Sequence, residues 1–308
     1  MTATRVAAVD CGTNSIRLLV ADIDPVAGTL VDVDRRMEIV RLGEGVDRTG
    51  RFSPAALDRT LAATQAYADV VEKTGAERVR FVATSASRDV DNRGDFVAGV
   101  RTALGVDPEV VSGDEEAALS FAGATRELLG ETPAPFLVVD IGGGSTELVL
   151  GSESVRAARS VDVGCVRLTE RHLHDDPPTE AQVTAARAEV DAALRLAAET
   201  VPYGDAATLV GLAGSVTTVA AMAMDLPAYL PERIHRSVVT ADAVRDVTGR
   251  LLTMTRAERA ALPFMHPGRV DVIGAGALVL ACVVDTAAVD EVLVSEHDIL
   301  DGIAWSLV

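Results

Sequence analysis

Two short segments of the chain combine an aspartate, glycine and hydroxyl side chains at the same spacing. They are Asp10-Cys11-Gly12-Thr13-Asn14-Ser15 and Asp140-Ile141-Gly142-Gly143-Gly144-Ser145, so the copies begin 130 residues apart. Glycine lets backbone N–H groups approach an anion closely, and serine or threonine hydroxyls add donors. An aspartate at a strand end can hold Mg²⁺ directly or through water. The segments are therefore candidates for binding phosphate, with Asp10 and Asp140 as candidate metal ligands.

The residues around the two segments repeat as well. The apolar triplet Ala7-Ala8-Val9 precedes the first copy, and Leu137-Val138-Val139 precedes the second. One Asp-x-Gly segment alone is as readily an ordinary hairpin turn, but two copies with matching flanks indicate duplication of a whole domain. Neither copy is a P-loop, because no Gly-Lys-Ser/Thr follows, and neither is a dinucleotide fingerprint, because each leads into a strand. Two such loops facing each other across a cleft would clamp consecutive phosphates.

The elements that must hold these loops follow from apolar periodicity and from capping residues. Strands are predicted at 6–9, 16–22, 30–40, 78–83, 109–111, 136–139, 146–150, 155–163, 209–212 and 291–294. Helices are predicted at 53–75, 91–104, 113–129, 165–173, 179–200, 240–254, 270–284 and 298–307, and another begins at Val216. Thr84–Asp89 is predicted to be a polar loop. The two prolines of Glu131–Pro135 mark a linker between two domains.

Charge and composition limit the classes of function. The net charge of −18 argues against binding to nucleic acid or to an anionic membrane surface. To bind a phosphate chain, this acidic protein would need a divalent cation, backbone N–H groups and arginines that neutralise the negative charge locally. No apolar run is long enough to span a bilayer and the N-terminus lacks the features of a signal peptide, so we expect a cytoplasmic protein. Three widely spaced cysteines are expected to be reduced core thiols.

Several further segments make the sequence similar to a known family. They are Ala83–Asp89, Ser112–Ala117, Gly164–Glu170, Gly211–Ser215 and Arg269–Ile273. Together with the two hairpins, in this order, they resemble the exopolyphosphatase and guanosine pentaphosphate phosphohydrolase family, in the superfamily of actin and hexokinase. The resemblance spans nearly the whole chain. It implies an α/β fold of two duplicated actin-like, ribonuclease H-like domains, each with a mixed five-stranded sheet flanked by helices, and a cleft between them.

The resemblance also implies domain limits and roles for residues. Residues 1–130 would form the first domain, with helix 298–308 packing back on it, and 131–297 the second. Glu116 occupies the family's catalytic position as the base that activates water, and Arg88 would bind or neutralise a phosphate. Mg²⁺ is the implied cofactor, held by Asp140, Glu147 and Asp10. The implied phosphate-binding residues are Gly12, Thr13, Asn14, Ser15, Gly142, Gly143, Gly144, Ser145 and Arg269.

Each of these side chains has a plainer interpretation. Glu116 could interact favourably with the dipole at the N-terminus of its helix. Arg88 could pair with Asp89 or Asp91 at the surface. Arg269 could pair with Asp271. Asp140 could be a turn residue and Glu147 a solvated strand residue. The glycine segment Gly211–Ser215 could hold a nucleotide or be a simple strand-to-helix turn.

The two hairpin copies differ from each other at one position, and the chain differs from the family pattern near its C-terminal end. Arg17 of the first hairpin is replaced by Glu147 in the second, which favours phosphate contact in the first copy and metal binding in the second. Asp298-Ile299-Leu300-Asp301-Gly302 departs from the family's usual Leu-Arg-Glu-Gly pattern and loses an arginine. Longer family members also continue into a helical region beyond the length of this sequence, so a weaker grip on very long chains is expected.

The leading functional prediction is an Mg²⁺-dependent exopolyphosphatase that releases terminal orthophosphate from inorganic polyphosphate. Guanosine pentaphosphate phosphohydrolysis is the alternative within the same chemistry, and it would connect the chain with the stringent response. Two different classes of function stay open, a non-catalytic phosphate or nucleotide sensor and a kinase of the superfamily. No nucleic-acid or membrane partner is expected, and a homodimer is compatible with the resemblance.

Overall fold

The computed structural model describes residues 3–88 and 90–308. The strands are β1 (Thr4–Cys11), β2 (Ser15–Asp24), β3 (Thr29–Ile39), β4 (Arg78–Ala83), β5 (Glu109–Val110), β6 (Phe136–Ile141), β7 (Thr146–Gly151), β8 (Val155–Val161), β9 (Thr208–Leu212), β10 (Val238–Thr240) and β11 (Glu291–Val294). The helices are α1 (Val46–Thr49), α2 (Pro54–Thr74), α3 (Ser85–Arg88), α4 (Arg93–Leu104), α5 (Gly113–Thr125), α6 (Cys165–His172), α7 (Glu180–Ala198), α8 (Ala213–Ala223), α9 (Pro231–Ile234), α10 (Ala241–Thr253), α11 (Arg256–Ala260), α12 (Ile273–Ala287) and α13 (Ile299–Trp305). In the part of the chain described, no helix combines the length and apolar character that crossing a membrane requires.

The first sheet has the strand order β3-β2-β1-β4-β5. Strands β1, β2 and β3 form an antiparallel meander, while β4 and β5 run parallel to β1. The central strand β1 is buried from Val6 to Cys11, as expected for a strand covered on both faces. Because β1 and β4 are parallel and adjacent, the first hairpin loop and the residues that follow β4 lie at the same edge of the sheet.

The second sheet has the order β10-β11-β9-β6-β7-β8. Its strands β11-β9-β6-β7-β8 repeat the order and directions of β5-β4-β1-β2-β3, which confirms the duplicated, mixed-sheet fold. The prediction of five strands is wrong for this sheet, because β10 adds a sixth strand antiparallel to β11 at the edge. Three residues are too few to show a strand periodicity in the sequence.

Two compact units divide the chain, one containing residues up to Gly123 together with Ile299–Val308, and the other Ala124–Asp298. The sequence placed the boundary after residue 130. The difference has a local cause, because Glu127 contacts His235 and His297, and Glu131 accepts a bond from Arg236. Residues 124–131 therefore pack with the second unit.

The C-terminal helix α13 is part of the first unit. Its residues Ile299 and Ile303 share a buried core with Val6 and Leu19 on β1 and β2. Asp301, within the segment that departs from the family pattern, accepts a hydrogen bond from Arg35 on β3 at 2.6 Å. The helix is therefore fixed to the sheet by both apolar packing and an ion pair.

Capping residues explain the helix that the sequence located best. The Ser53 side chain accepts from the N–H of Ala56, Pro54 occupies the first turn, and Gly75 ends α2 with a φ of 70°.

The prediction of a polar loop over Thr84–Asp89 is wrong in part, because Ser85–Arg88 form the short helix α3. Asp89 lies outside the described residues. The turn of helix carries the Arg88 side chain toward α5.

Candidate active site

The first hairpin loop is closed by one backbone hydrogen bond, from Gly12 N–H to Ser15 C=O at 3.0 Å. The carbonyls at its tip are also engaged, since Thr13 C=O accepts from Gly43 N–H and Asn14 C=O from Arg41 N–H, each at 2.8 Å. Among residues 3–88 and 90–308, none accepts the N–H of Thr13 or Asn14. These two donors are available to an anion, as a phosphate loop requires.

Asp10 lies directly across the strand pair from Arg17. One of its oxygens, Oδ2, accepts from Arg17 Nε at 3.0 Å and from Nη2 at 2.7 Å. The Asp10 side chain is buried, whereas that of Arg17 keeps about a fifth of its surface exposed. The candidate metal ligand of the first unit thus faces a guanidinium, and Arg17 directs donors to this carboxylate.

Glu116 and Arg88 meet in the first unit. Arg88 follows β4 on α3, and its Nη1 donates to Glu116 Oε2 at 2.7 Å and to Val111 C=O at 3.1 Å. Glu116 lies in the first turn of α5 and is buried, with 8% of its surface exposed. Of the described acids, it is Glu116 and not Asp91 that pairs with Arg88. The candidate base and the candidate phosphate-binding cation are therefore in direct contact.

Small hydroxyl side chains connect α3 with the first hairpin. Thr13 Oγ1 lies 2.9 Å from Ser85 Oγ in a buried contact. The N–H of Thr84 donates to Cys11 C=O at 3.1 Å, extending the pairing of β1 with β4. The loop that would bind phosphate and the helix that carries Arg88 are thus held together within one unit.

The second hairpin reproduces the first loop. Gly142 N–H donates to Ser145 C=O at 3.0 Å, and the carbonyls of Gly142 and Gly143 accept bonds from the start of α6. No described residue accepts the N–H of Gly143 or Gly144. Gly164 is required for this packing, because a Cβ there would lie 2.6 Å from the carbonyl carbon of Gly143. Both hairpins therefore present two available N–H groups at equivalent places.

Asp140 and Glu147 are opposite each other on β6 and β7. Opposed residues of an antiparallel pair project from the same face, with Cβ atoms about 5 Å apart. Glu147 is 1% exposed, and its Oε1 accepts from Ser160 Oγ at 2.7 Å, so it is not a solvated strand residue. Asp140 is also buried. Two adjacent carboxylates offer the hard oxygen donors that Mg²⁺ prefers, and the residues present fit that ion.

Arg269 lies against the glycine segment that precedes α8. A Cβ on Gly214 would come within 2.3 Å of the Arg269 guanidinium carbon, so this glycine allows the close approach. Arg269 Nη1 donates to Thr218 Oγ1 at 3.2 Å, and the guanidinium carbon lies 5.7 Å from the centre of the Tyr229 ring. Burial raises the pKa of Tyr229 to about 12, with the charge of Glu296 acting in the same direction. Arg269 is thereby held beside Gly214, between Thr218 and Tyr229.

Cys165 links Arg269 to the second hairpin. Its N–H donates to Gly142 C=O at 3.0 Å. Burial raises the pKa of its thiol to about 11, although a hydrogen bond with Ser215 and the nearby charge of Arg269 oppose the increase. Cys165 therefore contacts the second loop and senses the charge of Arg269, and Asp271 accepts a bond from Arg256.

The sequence is described by the model of the Ppx/GppA phosphatase family over residues 19–308. The chain is 54% identical to Exopolyphosphatase 2 of Mycobacterium tuberculosis, over all of this chain and 99% of that one. It is 29% identical to the guanosine-5'-triphosphate,3'-diphosphate pyrophosphatase of Aeromonas salmonicida, over 98% of this chain and 59% of that one. A crystal structure titled exopolyphosphatase-like protein superposes with a TM-score of 0.95 at 42% identity, covering 99% of this chain and 98% of that one.

The chain belongs to the Ppx/GppA phosphatase family. This membership confirms the resemblance inferred from the motifs and makes the chain a hydrolytic enzyme. The order of the family segments along the sequence was the signal that identified it. The individual roles of the hairpin residues, Arg88 and Glu116 within this Ppx/GppA member are predictions that follow from chemistry and position.

One polar cluster of this Ppx/GppA chain was missed from the sequence. The rings of His235 and His297 lie 4.6 Å apart, and each places a nitrogen 3.3 Å from Glu127 Oε2. His235 Nδ1 accepts the N–H of Glu296 at 3.2 Å, so the neutral ring carries its proton on Nε2, toward Glu127. Burial and the adjacent His297 lower the pKa of His235. These bonds make the cluster a hydrogen-bonded link between distant segments, because a metal on Nε2 would require loss of that proton.

Proposed function

We propose that this chain is an exopolyphosphatase that releases terminal orthophosphate from inorganic polyphosphate. The observation that carries the proposal is the contact of the buried Glu116 carboxylate with Arg88, beside a loop that has two available N–H groups. This arrangement offers a base, a cation and anion donors within one unit. The relative named Exopolyphosphatase 2, at 54% identity over the whole chain, supports polyphosphate as the substrate.

In the proposed reaction the first hairpin binds phosphoryl oxygens through the N–H groups of Thr13 and Asn14. The second hairpin offers an equivalent pair, Gly143 and Gly144, in its own unit. Arg88 turns from Glu116 to the terminal phosphoryl group, where a guanidinium binds two oxygens. Glu116 then takes a proton from water, whose oxygen bonds to the terminal phosphorus while the bridging oxygen leaves with the shortened chain.

Asp140 and Glu147 would hold Mg²⁺, which offsets the negative charge of the phosphates when bound. Ser160 orients Glu147 for this role through its hydrogen bond. The proposed metal requirement is checked by removing divalent cations with a chelator and restoring them one at a time. Phosphate release that persists without any divalent cation would remove Mg²⁺ from the proposal.

The catalytic assignment is tested with Glu116→Gln, which keeps the shape and removes the basic oxygen. We expect phosphate release from polyphosphate to fall about 100- to 10,000-fold, the usual contribution of a general base. The matched control is Glu115→Gln, because Glu115 is the preceding carboxylate, is exposed and pairs with Arg80. A Glu116→Gln enzyme as active as wild type, or a wild type that cleaves no phosphoanhydride, contradicts the proposal.

Guanosine pentaphosphate is the second candidate substrate. The relative from Aeromonas salmonicida, named for this class of nucleotide, aligns with 98% of this chain. Both reactions remove a terminal phosphate from an anhydride and need the same loops and base. Values of kcat/KM for polyphosphates of several lengths, guanosine pentaphosphate and ATP, measured side by side, distinguish the two candidates.

A further inference from the structure

The cluster of Glu127, His235 and His297, here called the His–Glu cluster, lies beside both connections between the two units. The chain leaves the first unit after Gly123 and returns to it at Ile299. Glu127 follows the first connection closely, and His297 comes shortly before the second. Both histidines contact the same carboxylate oxygen, Glu127 Oε2, each at 3.3 Å. The cluster therefore joins the two connecting segments to each other inside the second unit.

The His235 ring is the most constrained group of the His–Glu cluster. Its Nδ1 accepts the N–H of Glu296 at 3.2 Å, and its Nε2 lies 3.3 Å from Glu127 Oε2. The Glu296 carboxylate accepts from the Tyr229 hydroxyl. Only a neutral ring with its proton on Nε2 satisfies both contacts of His235. A second proton has to go to Nδ1, where it would face the Glu296 N–H, so two donors would oppose each other.

The charges around His235 also oppose a second proton. The His297 ring lies 4.6 Å away, centre to centre, and Arg236 is the next residue in the chain, where it pairs with Glu131. Burial lowers the pKa of His235, and the charges of His297 and Arg236 act in the same direction, against the bond with Glu127. The Glu127 side chain is 51% exposed, and so solvated a carboxylate is a weak counter-charge. His235 is therefore neutral while the cluster is intact.

We propose that the His–Glu cluster is a proton-sensitive link, which holds the two connecting segments together at neutral pH and releases them in acid. Proton uptake by His235 turns the acceptor of the Glu296 N–H into a donor. Once His297 is charged as well, two cationic rings face one carboxylate. Because the intact cluster binds this proton less readily than a solvated histidine, with a pKa of about 6.5, the link is complete above that pH and weakens below it. The link is separate from the proposed reaction, because it contains no hairpin residue and neither Glu116 nor Arg88.

Backbone hydrogen exchange tests the link, with peptides covering 124–131 and 294–298 as reporters. Protection factors are compared at about pH 7.5 and about pH 5, on either side of the ordinary histidine pKa, because they remove the intrinsic effect of pH on exchange. One proton taken up on opening changes the opening equilibrium by at most about tenfold per pH unit. We expect the protection of both peptides to fall about three- to thirtyfold in acid. Helix α2, which belongs to the first unit, should keep its protection.

His235→Asn removes the titrating group and keeps an acceptor near the position of Nδ1. We expect this variant to protect the two peptides nearly equally at both pH values. His174→Asn, at an exposed position after α6, is the matched control and should retain the pH dependence of the wild type. If His235→Asn does not fold, the ring nitrogen chemical shifts of His235 in the wild type decide. They should show the neutral ring protonated on Nε2 and a titration midpoint below about 6.5.

Four outcomes overturn the proton-sensitive link. The first two are wild-type protection that does not change with pH, and a His235→Asn variant that keeps the wild-type pH dependence. A third is a parallel loss of protection in α2, which would mean that acid unfolds the whole chain. The fourth is a neutral His235 ring protonated on Nδ1, because such a ring would not accept the Glu296 N–H and would leave Nε2 available to a metal ion.

Discussion

The two hairpins share a backbone and differ in one cross-strand pair. Both loops close with an N–H···O=C bond of 3.0 Å, and both present two available N–H groups. Asp10 faces Arg17 in the first copy, whereas Asp140 faces Glu147 in the second. The two aspartates thus occupy the same place in the fold with opposite charges across from them.

This single difference changes the charge that faces each aspartate. Arg17 donates two hydrogen bonds to Asp10, so the first pair carries no net charge. In the second copy two buried carboxylates face each other, which is the arrangement that the proposed function assigns to Mg²⁺. If Mg²⁺ binds as proposed, divergence at this one position after duplication assigned the metal to the second hairpin.

The largest effect is expected when the second hairpin receives the arginine that the first hairpin has opposite its aspartate. Glu147→Arg replaces a carboxylate with a cation beside Asp140, so we expect loss of Mg²⁺ binding and a fall in phosphate release of about 100- to 1,000-fold. Phosphate release is measured as a function of Mg²⁺ concentration, with Glu153→Arg at an exposed turn as the charge-reversal control. Undiminished Mg²⁺-dependent activity in Glu147→Arg would place the metal elsewhere.

Substitutions in the first hairpin should lower the free energy of unfolding more than they change the Mg²⁺ dependence of activity. Arg17→Gln leaves the buried Asp10 without its facing cation, and because Arg17 is partly exposed we expect the free energy of unfolding to fall by about 2 kcal/mol. Urea unfolding measures this loss, and Asp10→Asn measures the reciprocal one. A large change in the Mg²⁺ activation constant of Asp10→Asn, with stability unchanged, would instead support Asp10 as a metal ligand.

The hairpins and the main helices could be predicted because their signals are local. Ser53 and Gly75 mark the ends of α2, and continuous apolar runs mark the strands that enter each loop. The pairing of Asp10 with Arg17 was also within reach, since a turn closed by residues 12 and 15 sets 11 opposite 16 and 10 opposite 17. The contrast of Arg17 with Glu147 favoured phosphate contact for Arg17, and in the structure its guanidinium lies on Asp10.

Other features depend on contacts that no local pattern contains. Arg88 and Glu116 are 28 positions apart and meet only because β4 and α5 are brought together by the sheet. The cluster of Glu127, His235 and His297 brings Glu127 to a histidine 108 positions away, and its residues show no spacing typical of metal ligands. Strand β10 is too short to show periodicity. Residues 124–131 contact the second unit through that cluster and through the bond between Arg236 and Glu131, and neither contact is visible in the local sequence.

The finest comparison concerns the glycines that support the two loops. A Cβ on Gly164 would meet the backbone of Gly143 at 2.6 Å, whereas a Cβ on Gly43 would meet the Thr13 methyl carbon at 2.3 Å. The Thr13 methyl can move by rotation about χ1, with loss of the hydroxyl contact to Ser85, but a loop backbone held by several hydrogen bonds cannot move in this way. We therefore expect Gly164→Ala to lower the free energy of unfolding by about 1 kcal/mol more than Gly43→Ala, within the usual range for overpacking. Urea unfolding of both variants checks the difference. Equal losses of unfolding free energy would mean that the backbone of the second loop shifts as easily as the Thr13 side chain.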